Sequence, residues 1–347
     1  MGEKKQIVRE YVLAGLKVGE VLAIVELSRH QYYGKNKKVQ KAAPGRPVTT
    51  HTKRYISETS TEMVKDEKVV EQMEAILEDP DTQYGYRRMC AAMMLAGYII
   101  GPKKVYRLMK ENGLLQRRYR PSGKTRVRGR KVQPSRPLEV IAMDIKQVWI
   151  EEHSRSAYIL NIIDTFTRTI LYRSEGYHMK QDQIKEAWKH VIVRYLQPSD
   201  LLKQNLKVEI RNDNGPQFAA KMVRSFLEEN GLNQVFTYPY CPEQNGHVES
   251  FHSILSQHLN LFHFETLDQL TTVLEIFYEK YNCKRLHGSI ACLPPKVFWT
   301  LWEAGLVKMH RTEKGRTKFK ITVPYWKLSG NGVLREFSQF TEARRAS

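Results

Sequence analysis

Three apolar runs in close succession constrain this chain more than any other feature. Val140-Ile141-Ala142-Met143-Asp144-Ile145, Tyr158-Ile159-Leu160-Asn161-Ile162-Ile163-Asp164 and Thr169-Ile170-Leu171-Tyr172 are short and rich in β-branched residues. Each reads as a strand. Beyond them the pattern alternates: a helix over 181–196, a strand Lys207-Val208-Glu209-Ile210, a helix over 216–230, and a strand near Val235-Phe236-Thr237. Helices over 242–262 and 267–282 complete the series. Strands first and alternation afterwards predict an α/β unit over 138–300, a mixed five-stranded sheet with helices on both faces.

Ahead of this unit the sequence predicts all-α modules. In residues 1–35, Ile7, Val8, Tyr11 and Val12 recur at helical period, Gly15 breaks the run, and Val18–Val25 is a second helix. Ser28 can cap a third that begins Arg29-His30-Gln31-Tyr32-Tyr33. A helix-turn-helix reading, with Arg29 and His30 facing DNA, stands beside that of a plain three-helix bundle. Residues 36–66 are polar, contain Pro44-Gly45-Arg46-Pro47, and read as a linker.

Residues 67–115 carry one stripe of Val70, Met73, Ile76 and Leu77 and a second of Met89, Met93, Met94 and Leu95. The methionines read as core. A third helix opens at Pro102, and its outer side would present Lys103, Lys104, Arg107 and Lys110, making a second candidate DNA-binding module.

Charge sets the expected partner. The chain has 56 Lys and Arg against 37 Asp and Glu, a formal net charge of +19. The excess is concentrated in 116–137, where Arg117, Arg118, Arg120, Lys124, Arg126, Arg128, Arg130, Lys131 and Arg136 occur without one acidic residue. Such a run cannot form a core; it reads as a basic linker able to track phosphates without reading bases. The four cysteines form no CxxC pair, which argues against a disulfide framework and a zinc site and suits a reducing cytoplasm. No stretch approaches the ~18 apolar residues of a membrane span. The amino terminus lacks the apolar run of a signal peptide, so an intracellular, soluble protein is expected.

The chemistry is expected at three carboxylates. Asp144 lies inside an apolar strand, where an acid is disfavoured unless it has a task. Asp213 follows a strand end in Arg211-Asn212-Asp213-Asn214-Gly215-Pro216-Gln217-Phe218, turning into a helix. Glu249 lies in the first turns of the helix after Pro242-Glu243-Gln244-Asn245-Gly246-His247-Val248. Gathered carboxylates repel and persist best when divalent metal neutralises them, and an oxygen-only donor set favours Mg²⁺ or Mn²⁺ over zinc. Two ions about 3.5–4 Å apart would clamp the attacking and leaving oxygens of an in-line phosphoryl displacement. Asp164 reads as structural. His247 and His287 fit a core or DNA-facing position as well as a catalytic one.

From Asp213 to Glu249 there are 35 intervening residues. That spacing, with Asp213-Asn214-Gly215-Pro216-Gln217-Phe218 and with Pro242, Asn245, Gly246 and Glu249, resembles the D,D-35-E transposases and retroviral integrases. Asp164-Thr165-Phe166-Thr167-Arg168, and Tyr281-Asn282 with Arg285-Leu286-His287 and Pro294-Pro295, resemble further parts of that core. The Tyr84-Gly85-Tyr86-Arg87-Arg88 stretch ahead of it is similar to the insertion-sequence-3 family of bacterial transposases.

The resemblance covers about 68–300. It implies an RNase-H-like core whose Asp144, Asp213 and Glu249 are catalytic and hold two Mg²⁺ or Mn²⁺ ions. It further implies Asn245 near DNA, double-stranded terminal inverted repeats and target DNA as partners, at least a dimer on DNA, and a bacterial cytoplasmic, nucleoid-associated location. Many relatives carry Lys or Arg seven residues after the Glu. Here that place is Ser256, with His252 and His258 nearby as substitutes, and Lys146 stands where relatives often have Thr.

Residues 305–347 are expected to form a small β extension, Lys318–Val323 pairing with Val333–Phe337 across Gly330-Asn331-Gly332. Cleavage at transposon ends followed by 3′-OH strand transfer is the activity implied. A nuclease that does not join and a catalytically silent DNA-binding regulator are the alternatives. Affinity for a duplex should fall by at least about tenfold between roughly 50 and 200 mM salt, read by fluorescence anisotropy. A salt-independent affinity would remove the phosphate-tracking role of the basic run.

Overall fold

A computed structural model describes residues 2–33, 49–56, 60–116, 132–199, 201, 204, 206–237, 245–313 and 315–329. The chain divides into two compact units, residues 1–49 and 50–347. In the first, helices α1 (Gly2–Leu13), α2 (Val18–Ile24) and α3 (Arg29–Tyr33) gather Val8, Val21, Leu22 and Leu27 into a small core. Ser28 starts α3 as its sequence predicts. Its hydroxyl accepts from Gln31 N–H at 3.2 Å, and its own N–H donates to Gln31 Oε1 at 3.0 Å.

The second unit begins inside the stretch read as a linker. Strands β1 (His51–Tyr55) and β2 (Thr61–Lys65) pair antiparallel, so the reading of 36–66 is corrected for that part. The strands escape detection because polar residues alternate with apolar ones on a surface hairpin, and only Thr52 and Val64 are buried. Helices α4 (Asp66–Leu77), α5 (Tyr86–Leu95) and α6 (Pro102–Glu111) follow, with β3 (Tyr98–Ile99) adding to β1. This module is therefore not all-α. Met73, Met89, Met93 and Met109 are wholly buried in its core, as packing residues should be.

The five strands of the large sheet are β4 (Val140–Ile150), β5 (Arg155–Asp164), β6 (Ile170–Gly176), β7 (Val208–Asn212) and β8 (Leu232–Phe236). Their order is β6-β5-β4-β7-β8, antiparallel across the first three and parallel from β4 to β7 to β8. On one face lie α7 (Gln181–Val191), its π-helical extension Ile192–Leu196, α8 (Pro216–Ala219) and α9 (Lys221–Glu229). The helix predicted over 216–230 is thus two, because Ala220 is extended between them. The other face is covered by α10 (Gly246–Leu259) and α11 (Leu267–Cys283).

The two-residue period of β4 decides which side chain meets which layer. Ile141 and Met143 join the first core, while Ala142 and Ile150 join the second. Asp144, in step with Ala142, therefore looks toward α10.

Residues 67–115 and 138–300 were expected as separate domains, but both fall in the compact unit 50–347. The joint is specific. His258 Nδ1 on α10 meets Asp81 Oδ1 at 2.8 Å, Lys280 Nζ donates to Asp79 Oδ2 at 2.9 Å, and Leu286 N–H donates to the Tyr84 hydroxyl at 2.9 Å. Leu286 itself enters the core of the helical module. After α12 (Pro295–Glu303), β9 (Val307–Arg311) pairs with β10 (Thr317–Ile321), and α13 (Tyr325–Ser329) packs on α5. The partner of β10 is thus β9, where the sequence suggested Val333–Phe337, which lies outside the described residues.

Asp81→Ala leaves His258 without its carboxylate and weakens the hold on Lys280. It should lower stability by about 1–3 kcal/mol in urea denaturation, within one transition for module and core together. A separate early transition of the helical module would contradict a coupled unit.

Candidate active site

Asp144 sits where the central strand loses a neighbour. The parallel pairing of β4 with β7 runs Val140↔Glu209, Ile141↔Ile210, Ala142↔Arg211, and β7 ends at Asn212. Two steps beyond Ala142, the edge of β4 is open at Asp144. Two steps beyond Arg211, the chain has reached Asp213. Asp213 therefore lies just past the carboxyl end of β7, level with Asp144 within β4, where β4 has no further pairing with β7.

Asp213 is held by its neighbours rather than by its own burial. Asn212 is fully buried; its Nδ2 donates to the Asp213 carbonyl at 2.6 Å and its Oδ1 accepts from Gln234 Nε2 at 3.0 Å. Asn214 Nδ2 donates to the Thr237 carbonyl at 3.0 Å. The flanking asparagines thus pin the loop to β8 and its end, and the acid between them stays exposed. Gly215 donates its N–H to Asp213 Oδ1 at 3.0 Å, and a Cβ there would come within 2.6 Å of Gln217 Nε2 and 3.0 Å of that oxygen. Glycine is what lets the carboxylate fold back over the start of α8.

Glu249 rides on α10, whose Val248, Phe251, Leu255 and Leu259 are buried against the sheet. The helix starts at Asn245, whose carbonyl accepts from Val248 N–H and Glu249 N–H at 3.1 Å each. One turn on, His252 Nδ1 lies 3.4 Å from Asp144 Oδ2. Residues three apart share a helix face, so the face that presents Glu249 is also turned to Asp144.

Electrostatics ties the three acids together. Burial first, and then the charges of Asp213 and Glu249, push the Asp144 carboxyl up to about 6, against the opposing pull of the Ile145 N–H and of Lys146. The Ile145 N–H donates to Asp144 Oδ1 at 2.8 Å. Desolvation also raises the Glu249 carboxyl, although the residue as a whole is exposed. Burial and then Lys146 hold His252 down to about 4, so its ring is neutral near pH 7. Among the described residues, no three His, Cys, Asp or Glu side chains are gathered tightly enough to enclose a metal ion as they stand. The donor chemistry nonetheless fits a hard divalent cation: carboxylate oxygens alone, two of which raise the proton affinity of the third, Asp144.

The other predicted residues divide. Arg29, His30 and Lys103 are exposed. Lys104 and Arg107 do not form a free basic face: Lys104 Nζ lies 2.7 Å from Asp66 Oδ1 and Arg107 NH2 lies 3.0 Å from Asp66 Oδ2. Asp66 escaped the sequence reading because it was assigned to the linker. Asn245 is buried at the helix start, and its Oδ1 has no hydrogen-bond partner among the described residues.

Arg117, Arg118, Arg120, Arg126, Arg128 and Arg130 lie outside the described residues. His252 and His258 both point inward, so neither replaces the basic residue missing at Ser256. Asp164 is structural, fully buried and accepting from Leu138 N–H, Phe166 N–H and both Thr167 donors. His287 stacks edge-on against Tyr281, and burial with Arg285, Arg168 and Arg88 drives it down to about 3. Asn161 and Tyr278 were missed. An asparagine inside an apolar strand, level with an aspartate inside another, was the available clue.

Residues 65–122 match the HTH-like domain, and residues 134–242 and 230–295 match the integrase core domain. The fold and matches together define an RNase-H-like integrase core with an HTH-like domain before it. The chain is similar to proteins of bacterial insertion elements.

It is 28% identical over 222 residues to an uncharacterized 39.2 kDa protein of insertion element IS476 from Xanthomonas euvesicatoria, covering 62% of this chain and 60% of that protein. It is 27% identical over 219 residues to an uncharacterized 31.7 kDa protein of insertion element IS407 from Burkholderia multivorans, covering 62% and 75%. The match thus spans less than two thirds of the first relative's length. The HTLV-2 integrase catalytic core domain in complex with magnesium aligns at 15% identity and a TM-score of 0.36, covering 48% of this chain and 99% of that one. No helix among the described residues is long and apolar enough to cross a membrane.

Because the Asp144 carboxyl is raised from 3.8 to about 6 in the folded protein, its ionisation opposes folding. The penalty is absent below pH ~4, grows as pH rises through 6, and is constant above. Asp144→Asn should therefore stabilise the metal-free protein at pH 7.5 by up to about 3 kcal/mol, and leave it unchanged near pH 4. Urea titrations at the two pH values read this; equal effects at both would contradict the charge origin.

Proposed function

We propose that the chain is a DDE transposase that cleaves DNA at the ends of its element and transfers the freed 3′-OH to a second phosphodiester. The observation that supports the reading is that the charges of Asp213 and Glu249, carried by two other elements, both act on the half-buried Asp144 carboxyl and raise its proton affinity. Three acids set against one another serve no purpose for a folded protein alone. Two divalent cations, when bound there, would supply charge neutralisation and an activated attacking oxygen. The residues named to hold them are Asp144 on the strand edge, Asp213 on its loop, and Glu249 on its helix.

The chain's own contribution is orientation. Asn212, Asn214 and Gly215 fix the Asp213 loop, and the buried face of α10 fixes the height of Glu249 over the sheet. Direct attack by water and then by a DNA 3′-OH needs no covalent protein nucleophile. Exposed Arg29, His30 and Lys103, with the basic stretch 117–131, are the proposed contacts to double-stranded terminal repeats and target DNA. Asn245 would reach DNA only if the start of α10 opens. Bringing two ends together requires at least a dimer on DNA. A bacterial nucleoid-associated location follows from that partner.

The test uses labelled DNA ends taken from the repeats flanking the gene, incubated with protein and Mg²⁺ or Mn²⁺ and resolved on a denaturing gel. Products longer than the substrate are expected, and Asp213→Asn should abolish cleavage and joining while leaving end binding within about twofold, since it removes charge and not shape. Cleavage without joining would indicate a nuclease, and bound but unaltered DNA a silent regulator.

A further inference from the structure

A hydrogen-bond chain runs through the second core to the site, and its direction can be read atom by atom. Asn161 lies directly opposite Asp144 in the β4–β5 pairing and on the same sheet face. It is fully buried. Its Nδ2 is 3.3 Å from the Ile159 carbonyl and 3.0 Å from His252 Nε2. The carbonyl can only accept, so the amide nitrogen must lie on that side and its second N–H points at the imidazole. Asn161 Oδ1 then faces the Tyr278 hydroxyl, which donates to it. His252 Nε2 therefore accepts and carries no proton. The ring proton sits on Nδ1, the nitrogen that faces Asp144 Oδ2 at 3.4 Å.

We infer that Asn161 and His252 are positioning residues for the acidic site: the chain Tyr278–Asn161–His252 fixes His252 as the Nδ1–H tautomer and aims that proton at Asp144. This rests on the proposed reading of Asp144 and Glu249 as a metal-holding pair. Two things follow from the placement. The carboxylate of Asp144 has its rotation limited, with Oδ1 taken by the Ile145 N–H and Oδ2 facing the imidazole N–H. And because His252 stands one turn after Glu249, the same contact locks α10 in height and rotation against β4, which sets the separation of the two acids. Supporting partners of this kind typically change metal affinity by 10–100-fold when removed.

Two measurements test it. In the metal-free full-length protein labelled with ¹⁵N-histidine, long-range ¹H–¹⁵N correlation should show His252 with an unprotonated Nε2 and a protonated Nδ1. An Nε2–H tautomer, or averaging of the two, overturns the proposal whatever the chain does to DNA. Second, Mn²⁺ affinity is followed by electron paramagnetic resonance in His252→Phe, which keeps the ring and loses the donor, and in His252→Asn, which restores a donor near Nδ1. Affinity at least about tenfold weaker in the first and largely recovered in the second is expected, with DNA-end affinity unchanged in both and melting lowered in both by the buried Asn161 amide left without its acceptor. His252→Phe binding Mn²⁺ as well as wild type overturns the positioning role. Absence of Mn²⁺ binding by wild type, with the Nδ1–H tautomer observed, sinks the metal-site reading and leaves the hydrogen-bond chain standing.

Discussion

An ionisable group on the central strand of a sheet must be satisfied, and most of the architecture around Asp144 answers to that demand. The strand that would cover it, β7, stops short and opens the edge. The backbone N–H of Ile145 and the charge of Lys146 favour the carboxylate. They do not balance burial and the two neighbouring acids, and the carboxyl remains raised to about 6. A site left with excess negative charge is set to receive positive charge, which is how the repulsion that weakens the empty protein becomes binding energy for a cation.

That demand also explains why the helical module and the sheet are one unit. The height of Glu249 over Asp144 is the height of α10 over β4, and α10 is held from both sides. Phe251 and Leu255 press it onto the sheet, while His258 at its far end meets Asp81 of the helical module. Lys280 and Leu286 extend the same seam from α11 and the chain beyond it. An HTH-like domain docked on the helix that carries Glu249 couples the position of one to the position of the other.

Much of this was legible before the structure. All five strands of the sheet appear near their predicted places, and so do the main helices on its faces apart from the break at Ala220, because apolar periodicity survives where elements are buried on one or two faces. Asp144 and Asp213 could be read from their abnormal settings, an acid in an apolar strand and an acid in a turn between strand and helix. The surface hairpin 51–65 could not, since only Thr52 and Val64 reach the core and its remaining side chains carry no period. Lys104 and Arg107 read as a basic face because helical spacing assigns them to the outside; Asp66, distant in sequence, claims both.

The sequence by itself determined the class of fold and the basic balance of the chain and singled out three acids as candidates, because each rests on local pattern, spacing or composition. The tertiary structure alone decided which faces meet. It turned His252 and His258 inward, joined two predicted domains across Asp81, and set Asn161 opposite Asp144 through strand register. The reason is physical: periodicity says which side of an element is apolar, but the partner of a polar atom is chosen by packing between elements far apart in the chain.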